Sequence, residues 1–326
     1  MMKLSSYVVK RTVSSIITVF AIISFLFFLL HLLPGDPILI LYRNPALTPA
    51  QINVLRTEFG LNKPLWVQYF LYIKNTLTGN FGISFYFREP VAAVIFPALL
   101  NSLILLMPAT VLAIILGIFT GVVSAWHRGK KIDFASLGSA LAFYSMPPFW
   151  LGSILIVTAV TYGHGHIPVA GMYSYGVFHQ SIPAKIIDVL SHMMLPFITL
   201  TLVLYGQFTI VMRNSLIDVF SEDYMITAKA KGAKPRRLIW RHAYPNGQLP
   251  MISIIAINLG IVVAGAILTE TVFSWPGIGY MLYEAIISRD YPLLQGAFLI
   301  IAISVVIANL MADFLYSYLD PRVRFR

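Results

Sequence analysis

The sequence predicts an all-α polytopic membrane protein with six transmembrane helices, and three observations carry that reading. Of 326 residues, 58% are hydrophobic and 11% charged, whereas a soluble domain carries about 25% charged and about 45–50% apolar residues and so can cover its surface in water. The net charge of +10 comes from 13 acids against 23 bases, a scarcity of acid rather than an abundance of base, with a mean hydropathy of +0.79. Six stretches are also long and apolar enough to cross about 30 Å of hydrocarbon, and continuous apolar blocks fit helices rather than the short alternating segments of a β-barrel. Disordered, collagenous and nucleic-acid-binding classes are excluded. The absence of Cys removes disulfides, Cys-based zinc sites and thiol catalysis.

Taken in order, residues 1–33 form a tail and a first span at 12–33. Lys3, Lys10 and Arg11 precede its apolar run in the manner of a signal peptide. The run is about 22 residues, longer than a secretory core, and ends in Leu33-Pro34-Gly35-Asp36-Pro37 with no Ala-x-Ala pattern, so a retained helix is expected. Residues 34–97 form an outer loop with its own helices. Thr48-Pro49-Ala50-Gln51 supplies a capping hydroxyl and a proline at the first helical position, Gly60 a stop, and a second helix runs from Pro64 to before Gly79. This small cap suits either a partner protein or a cover for helix ends.

The remaining spans fall at 98–125, 134–162, 189–212, 249–273 and 293–316, within a core of 98–316, followed by a tail at 317–326. Gly117 and Gly121 make a GxxxG step that brings backbones close, within the chain or between subunits. Met146-Pro147-Pro148-Phe149-Trp150 interrupts the third span and Pro196 the fourth. Proline removes a backbone donor, so such breaks are simple kinks or line a wet path. Glu270 and Asp313 lie near span ends, as a structural hydrogen bond, a helix-end anchor or a substrate contact.

Orientation follows from the bases. The N-terminus, 126–133, 213–248 and the C-terminus hold 16 Lys and Arg in 65 residues; 34–97, 163–188 and 274–292 hold 7 in 109. The first set is therefore expected in the cytoplasm, with both termini inside. Within it, 213–248 is the most informative segment. Ser221 is placed to cap a helix carrying Tyr224, Ala228 and Ala230, which Gly232 ends; Pro235 begins another with Arg236, Arg237 and Arg241, which Pro245 stops. The pattern predicts a knob of two short helices built to fit a groove. Attraction of the bases to anionic headgroups explains the charge but not the Gly and Pro punctuation.

The sequence assembles no active site. Its Gly129-Lys130 is followed by Lys131, so no phosphate-cradling loop forms. His164 and His166 lack further metal ligands nearby, and no Gly-x-Ser-x-Gly accompanies His31 or His192. No acid stands at mid-depth in a span, which counts against a proton-coupled carrier.

The run from Glu222 through Gly232 to Arg241-His242-Ala243-Tyr244-Pro245 resembles the coupling loop of ABC importer permeases. Leu33-Pro34-Gly35-Asp36-Pro37, Gly60-Leu61-Asn62-Lys63-Pro64, Pro147-Pro148-Phe149-Trp150, Glu270 to Gly279, Arg289-Asp290-Tyr291-Pro292 and Asp320-Pro321-Arg322 extend the likeness along nearly the whole chain. In that order they resemble the B-type permease subunit of dipeptide and oligopeptide importers, a family that includes nickel and oligosaccharide carriers. One departure is that the general motif begins Glu-Ala-Ala where this chain has Ile226, Thr227 and Ala228. A Glu-mediated contact therefore does not carry over.

The resemblance implies a type I ABC importer permease fold and a non-enzymatic role. It implies a second homologous permease subunit, an extracytoplasmic substrate-binding protein, and two cytoplasmic ATPases that bind ATP and Mg, with no cofactor in this chain. By the same likeness Asp223, Tyr224, Ala228, Ala230, Lys231, Gly232, Arg236, Arg237, His242 and Pro245 form the coupling loop. Pro147, Pro148, Phe149, Trp150, Glu270 and Trp275 are path or gate candidates, and Arg289, Asp290 and Tyr291 candidates for meeting the binding protein. The leading expectation is a subunit importing short peptides across the cell membrane. Oligosaccharide or nickel cargo and an ion-coupled carrier are the alternatives.

Overall fold

The computed structural model describes residues 4–32, 50, 53, 54, 57, 62–179 and 181–319. The expected helix start at Thr48, the Gly60 stop, Leu33–Pro37 and the terminal Asp320-Pro321-Arg322 lie outside them. Among the described residues regular structure is helical apart from an isolated antiparallel bridge between Ile83 and Pro90.

Among the described residues four helices are long and apolar enough to cross a membrane: α1 (Leu4–Leu32), α3 (Val91–Trp126), α6 (Ile182–Phe220) and α12 (Tyr291–Leu319). Between 17% and 33% of the residues in their most apolar windows are buried inside the chain. Most of their apolar surface is thus left for lipid or for other chains. A short α2 (Leu65–Leu77) starts behind Pro64, as expected, and closes at Thr78.

The other two expected spans are not single helices. The stretch 134–162 divides into α4 (Lys131–Ser145) and α5 (Pro148–Tyr162), bent by 99°. Pro147 and Pro148 are the cause: neither has an N–H to continue the ladder, and Pro148 starts the new helix at a position where no donor is needed. The stretch 249–273 likewise breaks into α9 (Leu249–Val262) and α10 (Ile267–Val272) around Gly265, whose φ of +76° a helix does not tolerate. By contrast Pro196, expected to interrupt its span, is carried inside α6, a continuous 39-residue helix. An interior proline costs about 3 kcal/mol, and here it is offset by packing, since Pro196 is buried together with Leu195, Thr199 and Leu200.

The chain forms two compact units, residues 1–101 with 277–326, and residues 102–276. In the first, α1 packs on α12 through Ile23, Leu26 and Leu299. Phe27 stacks with Tyr72, and Ser24 and Tyr69 share a 2.6 Å hydrogen bond. The start of α3 packs through Val91 and Ile95 against α12 and against α11 (Ile278–Ser288).

In the second unit α6 is the axis. Gly206 lies against the Ala140 carbonyl of α4, so closely that a Cβ would not fit. A Cβ at Gly121 would meet Met212 Cβ at 2.7 Å and the Thr209 carbonyl at 2.9 Å, and Gly117 packs on Phe208. The GxxxG step therefore serves packing inside the chain. Thr120 and Thr209 bridge the same two helices at 2.7 Å.

Candidate functional site: the basic loop and its supports

After α6 the chain forms α7 (Asp223–Ala230) and a helical run, α8 (Pro235–Gly247). Ser221 does not cap α7. It closes α6, its Oγ donating to the Asp218 carbonyl, and Glu222 takes the N-cap position with no side-chain bond. Gly232 ends the turn after α7 with φ +77°, its N–H reaching the Lys229 carbonyl and that of Ala233 the Ala228 carbonyl. That paired closure needs a left-handed residue, for which Gly carries no Cβ penalty.

Pro245 does not stop α8. The middle of the run, Leu238–Ala243, is π-helical, with the Tyr244 N–H bonding back to Ile239. A proline ring clashes with the carbonyl four residues earlier, here Arg241, and the widened turn makes room for it. Asn246 Nδ2 donates to the Tyr224 hydroxyl at 2.9 Å and to the His242 carbonyl at 3.2 Å, tying α7 to α8. Sequence reading passed over Asn246.

The loop has two faces. Met225, Leu238 and Ala243 are buried with Met212, Leu216 and Met251. Ser215 Oγ donates to the Gly247 carbonyl at 2.7 Å, and a Cβ on Gly247 would meet Leu216. Lys229, Lys231, Lys234, Arg236, Arg237 and Arg241 all point outward, with Asp223 and Ala230 exposed beside them, Tyr224 40% exposed and His242 half-buried. A rigid knob with a charged outer surface results.

A buried ion pair anchors the base of this region. Arg213 reaches Asp133 through Nε at 2.7 Å and Nη2 at 2.8 Å, while Ser124 Oγ and the Gly129 N–H donate to the same carboxylate at 2.6 and 2.9 Å. Asp133 is the one acid in the segment 126–133, a signal the sequence carried unread.

The path candidates separate. Pro147 is exposed at the bend and Pro148 half-buried, while Phe149 and Trp150, 45% and 48% exposed, open outward at the start of α5. Glu270 and Trp275 are both fully buried. Glu270 Oε1 accepts from Ser102 Oγ at 2.7 Å and from the Ala266 N–H at 3.1 Å, so its carboxylate caps α10 where the chain restarts after Gly265. Trp275 belongs to a core with Leu105, Leu106, Met172 and Leu200.

Arg289, Asp290 and Tyr291 also differ among themselves. Arg289 is exposed at φ +56°, and Tyr291 half-buried at the start of α12. Asp290 is fully buried: its carboxylate accepts from Ser84 Oγ, the Tyr86 N–H and the Leu293 N–H. It caps α12 and pins the turn at 84–87, holding Arg289 beside that turn rather than presenting its own carboxylate outward.

These features define a multi-pass helical protein of the cell membrane with an exposed basic knob seated on its helices. The chain belongs to the binding-protein-dependent transport system inner membrane component family, whose model matches residues 113–325; the N-terminal component of the same systems matches residues 3–105. It is similar to the dipeptide transport system permease protein DppB of Escherichia coli (strain K12), 37% identical over 336 residues and covering 98% of this chain and 99% of that protein. It is also similar to the oligopeptide transport system permease protein AppB of Bacillus subtilis (strain 168), 32% identical over 323 residues, 99% of this chain and 100% of that one. Among solved structures, an inward-facing form of the MetNI methionine ABC transporter matches with a TM-score of 0.55 and 15% identity, over 71% of this chain and 99% of the other. That likeness is one of fold, the type I ABC importer permease fold expected from the sequence.

Proposed function

We propose that this chain is a permease subunit of a binding-protein-dependent ABC importer and conducts di- and oligopeptides across the cell membrane. The observation that carries the reading is the knob: α7 and α8 turn a basic surface outward while Met225, Leu238 and Ala243 root it in the core around α6. A force applied to that surface reaches the membrane helices through packed side chains and not through a flexible linker.

In this reading the chain hydrolyses nothing itself. Two ATPase subunits bind ATP and Mg and grip residues 223–245 from the cytoplasm, where both termini also lie. A second homologous permease, a different chain, completes the path, and a substrate-binding protein docks on the outer face near 274–292 and the loop 34–97. Phe149 and Trp150 at the 99° bend line or gate the path. Glu270 and Trp275 hold the discontinuous segment that the gate moves. Ligand and nucleotide shift the inward and outward populations only through contacts that differ between the two states.

Gly232→Pro tests the knob. Pro fixes φ near −65°, opposite in sign to the +77° found here. The expected result is normal insertion and assembly with loss of ATP-driven uptake. Uptake at the wild-type rate would refute the coupling role.

A further inference from the structure

Gln207 on α6 and Asn258 on α9 meet side by side within one unit, each half-buried. Asn258 Nδ2 donates to Gln207 Oε1 at 3.4 Å and to the Ile254 carbonyl, one turn earlier on its own helix, at 2.9 Å. The backbone carbonyl demands a donor, which fixes the orientation of the Asn258 amide and, through it, that of Gln207. A carboxamide carries two N–H donors and one acceptor oxygen. Among the described residues the Asn258 nitrogen is therefore fully engaged and its Oδ1 free, while on Gln207 the oxygen is engaged and the Nε2 donors are free. An open donor stands next to an open acceptor.

The surroundings make this pair distinctive. Asn258 is the only amide in the apolar helix Leu249–Val262. The adjacent polar side chains of α6 are closed between helices: Tyr205 donates to Ser139 Oγ at 2.8 Å, and Thr209 pairs with Thr120 at 2.7 Å. Hydrocarbon offers no partner to a free amide, so polar groups within spans face protein or a water-filled cavity. The half-open face that bears Gln207 and Asn258 is thus turned to another chain or to water rather than to lipid.

We propose that Gln207 and Asn258 form a recognition site for the peptide backbone: Gln207 Nε2 donates to a cargo carbonyl, and Asn258 Oδ1 accepts from a cargo N–H. In an extended chain the N–H and C=O of one residue point to the same edge, which is the pairing that two strands exchange. Main-chain hydrogen bonds hold a peptide without themselves reading its side chains; in strand addition, too, they supply the affinity. The site rests on the reading that the chain conducts peptides.

The test uses the complete transporter in proteoliposomes with its binding protein and ATP. Initial uptake of tri-alanine is compared with that of tri-alanine methylated at either internal amide, each normalised to occupancy of the binding protein. Loss of one hydrogen bond corresponds to about tenfold. Wild-type transporter is expected to carry at least one methylated peptide about tenfold more slowly. Gln207→Leu and Asn258→Leu are expected to slow tri-alanine to a similar degree with wild-type recovery of assembled transporter on gel filtration, and Asn258→Leu to stop distinguishing the methylated peptide. Equal uptake of all three peptides by the wild type, unchanged uptake by both variants, or slowing matched by equal loss of assembled transporter would overturn the site. Peptide uptake by the wild type with unaffected variants removes the site alone; no peptide uptake by the wild type removes the cargo reading with it.

Discussion

Arg213→Met gives the clearest energetic test of how the knob's base is held. The substitution keeps the aliphatic stem and removes both guanidinium bonds to Asp133, at 2.7 and 2.8 Å, leaving Ser124 and the Gly129 N–H as the donors to a carboxylate that is 3% exposed. Two charge-assisted bonds at about 1.5–3 kcal/mol each give a gross loss of about 3–6 kcal/mol. Removing one member of a buried pair is measured at about 3–5 kcal/mol. Half of the donors remain and Arg213 is itself only half-buried, so the low end, about 3 kcal/mol, is expected. Asp133→Asn is expected to cost about 2 kcal/mol, because its new NH2 faces donors. The double variant should cost little more than Arg213→Met alone. Equilibrium unfolding in mixed micelles, followed by tryptophan fluorescence, measures all three. A double variant whose cost equals the sum of the singles would refute the coupled pair.

Three further perturbations probe other joints. Gly121→Ala forces Met212 Cβ and the Thr209 carbonyl away from 2.7 and 2.9 Å, and about 1–3 kcal/mol of destabilisation is expected in the same unfolding assay. Glu270→Ala removes the acceptor shared by Ser102 and the Ala266 N–H and should cost about 2–3 kcal/mol, whereas Glu270→Gln, which keeps an acceptor oxygen, should cost under about 1 kcal/mol; thermal melting separates them. Asp290→Ala frees three donors at Ser84, Tyr86 and Leu293. Protease cutting at Arg88 is expected to rise, and at least about 2–3 kcal/mol to be lost in the same unfolding assay, because buried donors are left unpaired.

Much of the fold was legible because membrane insertion writes itself in composition. Apolar stretches of sufficient length, with at most the single charge of Asp313, became α1, α3, α6 and α12. Local chemistry was legible where one residue type decides the backbone, as with Gly232 at positive φ and Pro148 at a helix start. It failed where tertiary contacts outvoted local preference. Pro196 looked like a breaker, yet a long buried helix absorbs it. Pro245 looked like a stop, but a π turn lets the helix pass. Ser221 looked like an N-cap and instead closes the previous helix.

The candidate site was legible in outline for the same reasons. The bases and punctuation of 213–248 mark an exposed double turn without long-range information. Its fixings were not legible, because Asn246 to Tyr224 and Arg213 to Asp133 join residues 22 and 80 positions apart. Asp290 could have been read more closely: an acid followed by Tyr-Pro-Leu is an N-cap signature, and a capping carboxylate turns inward.

The account stands or falls on whether a separate motor drives this chain. The direct measurement is peptide accumulation in proteoliposomes holding this subunit, its partner permease, the binding protein and both ATPases, with and without substitution of the phosphate-binding lysine in the ATPases. Accumulation that requires ATP and vanishes with the lysine is the expected result. Accumulation that persists without that lysine, or with this chain alone, would contradict it.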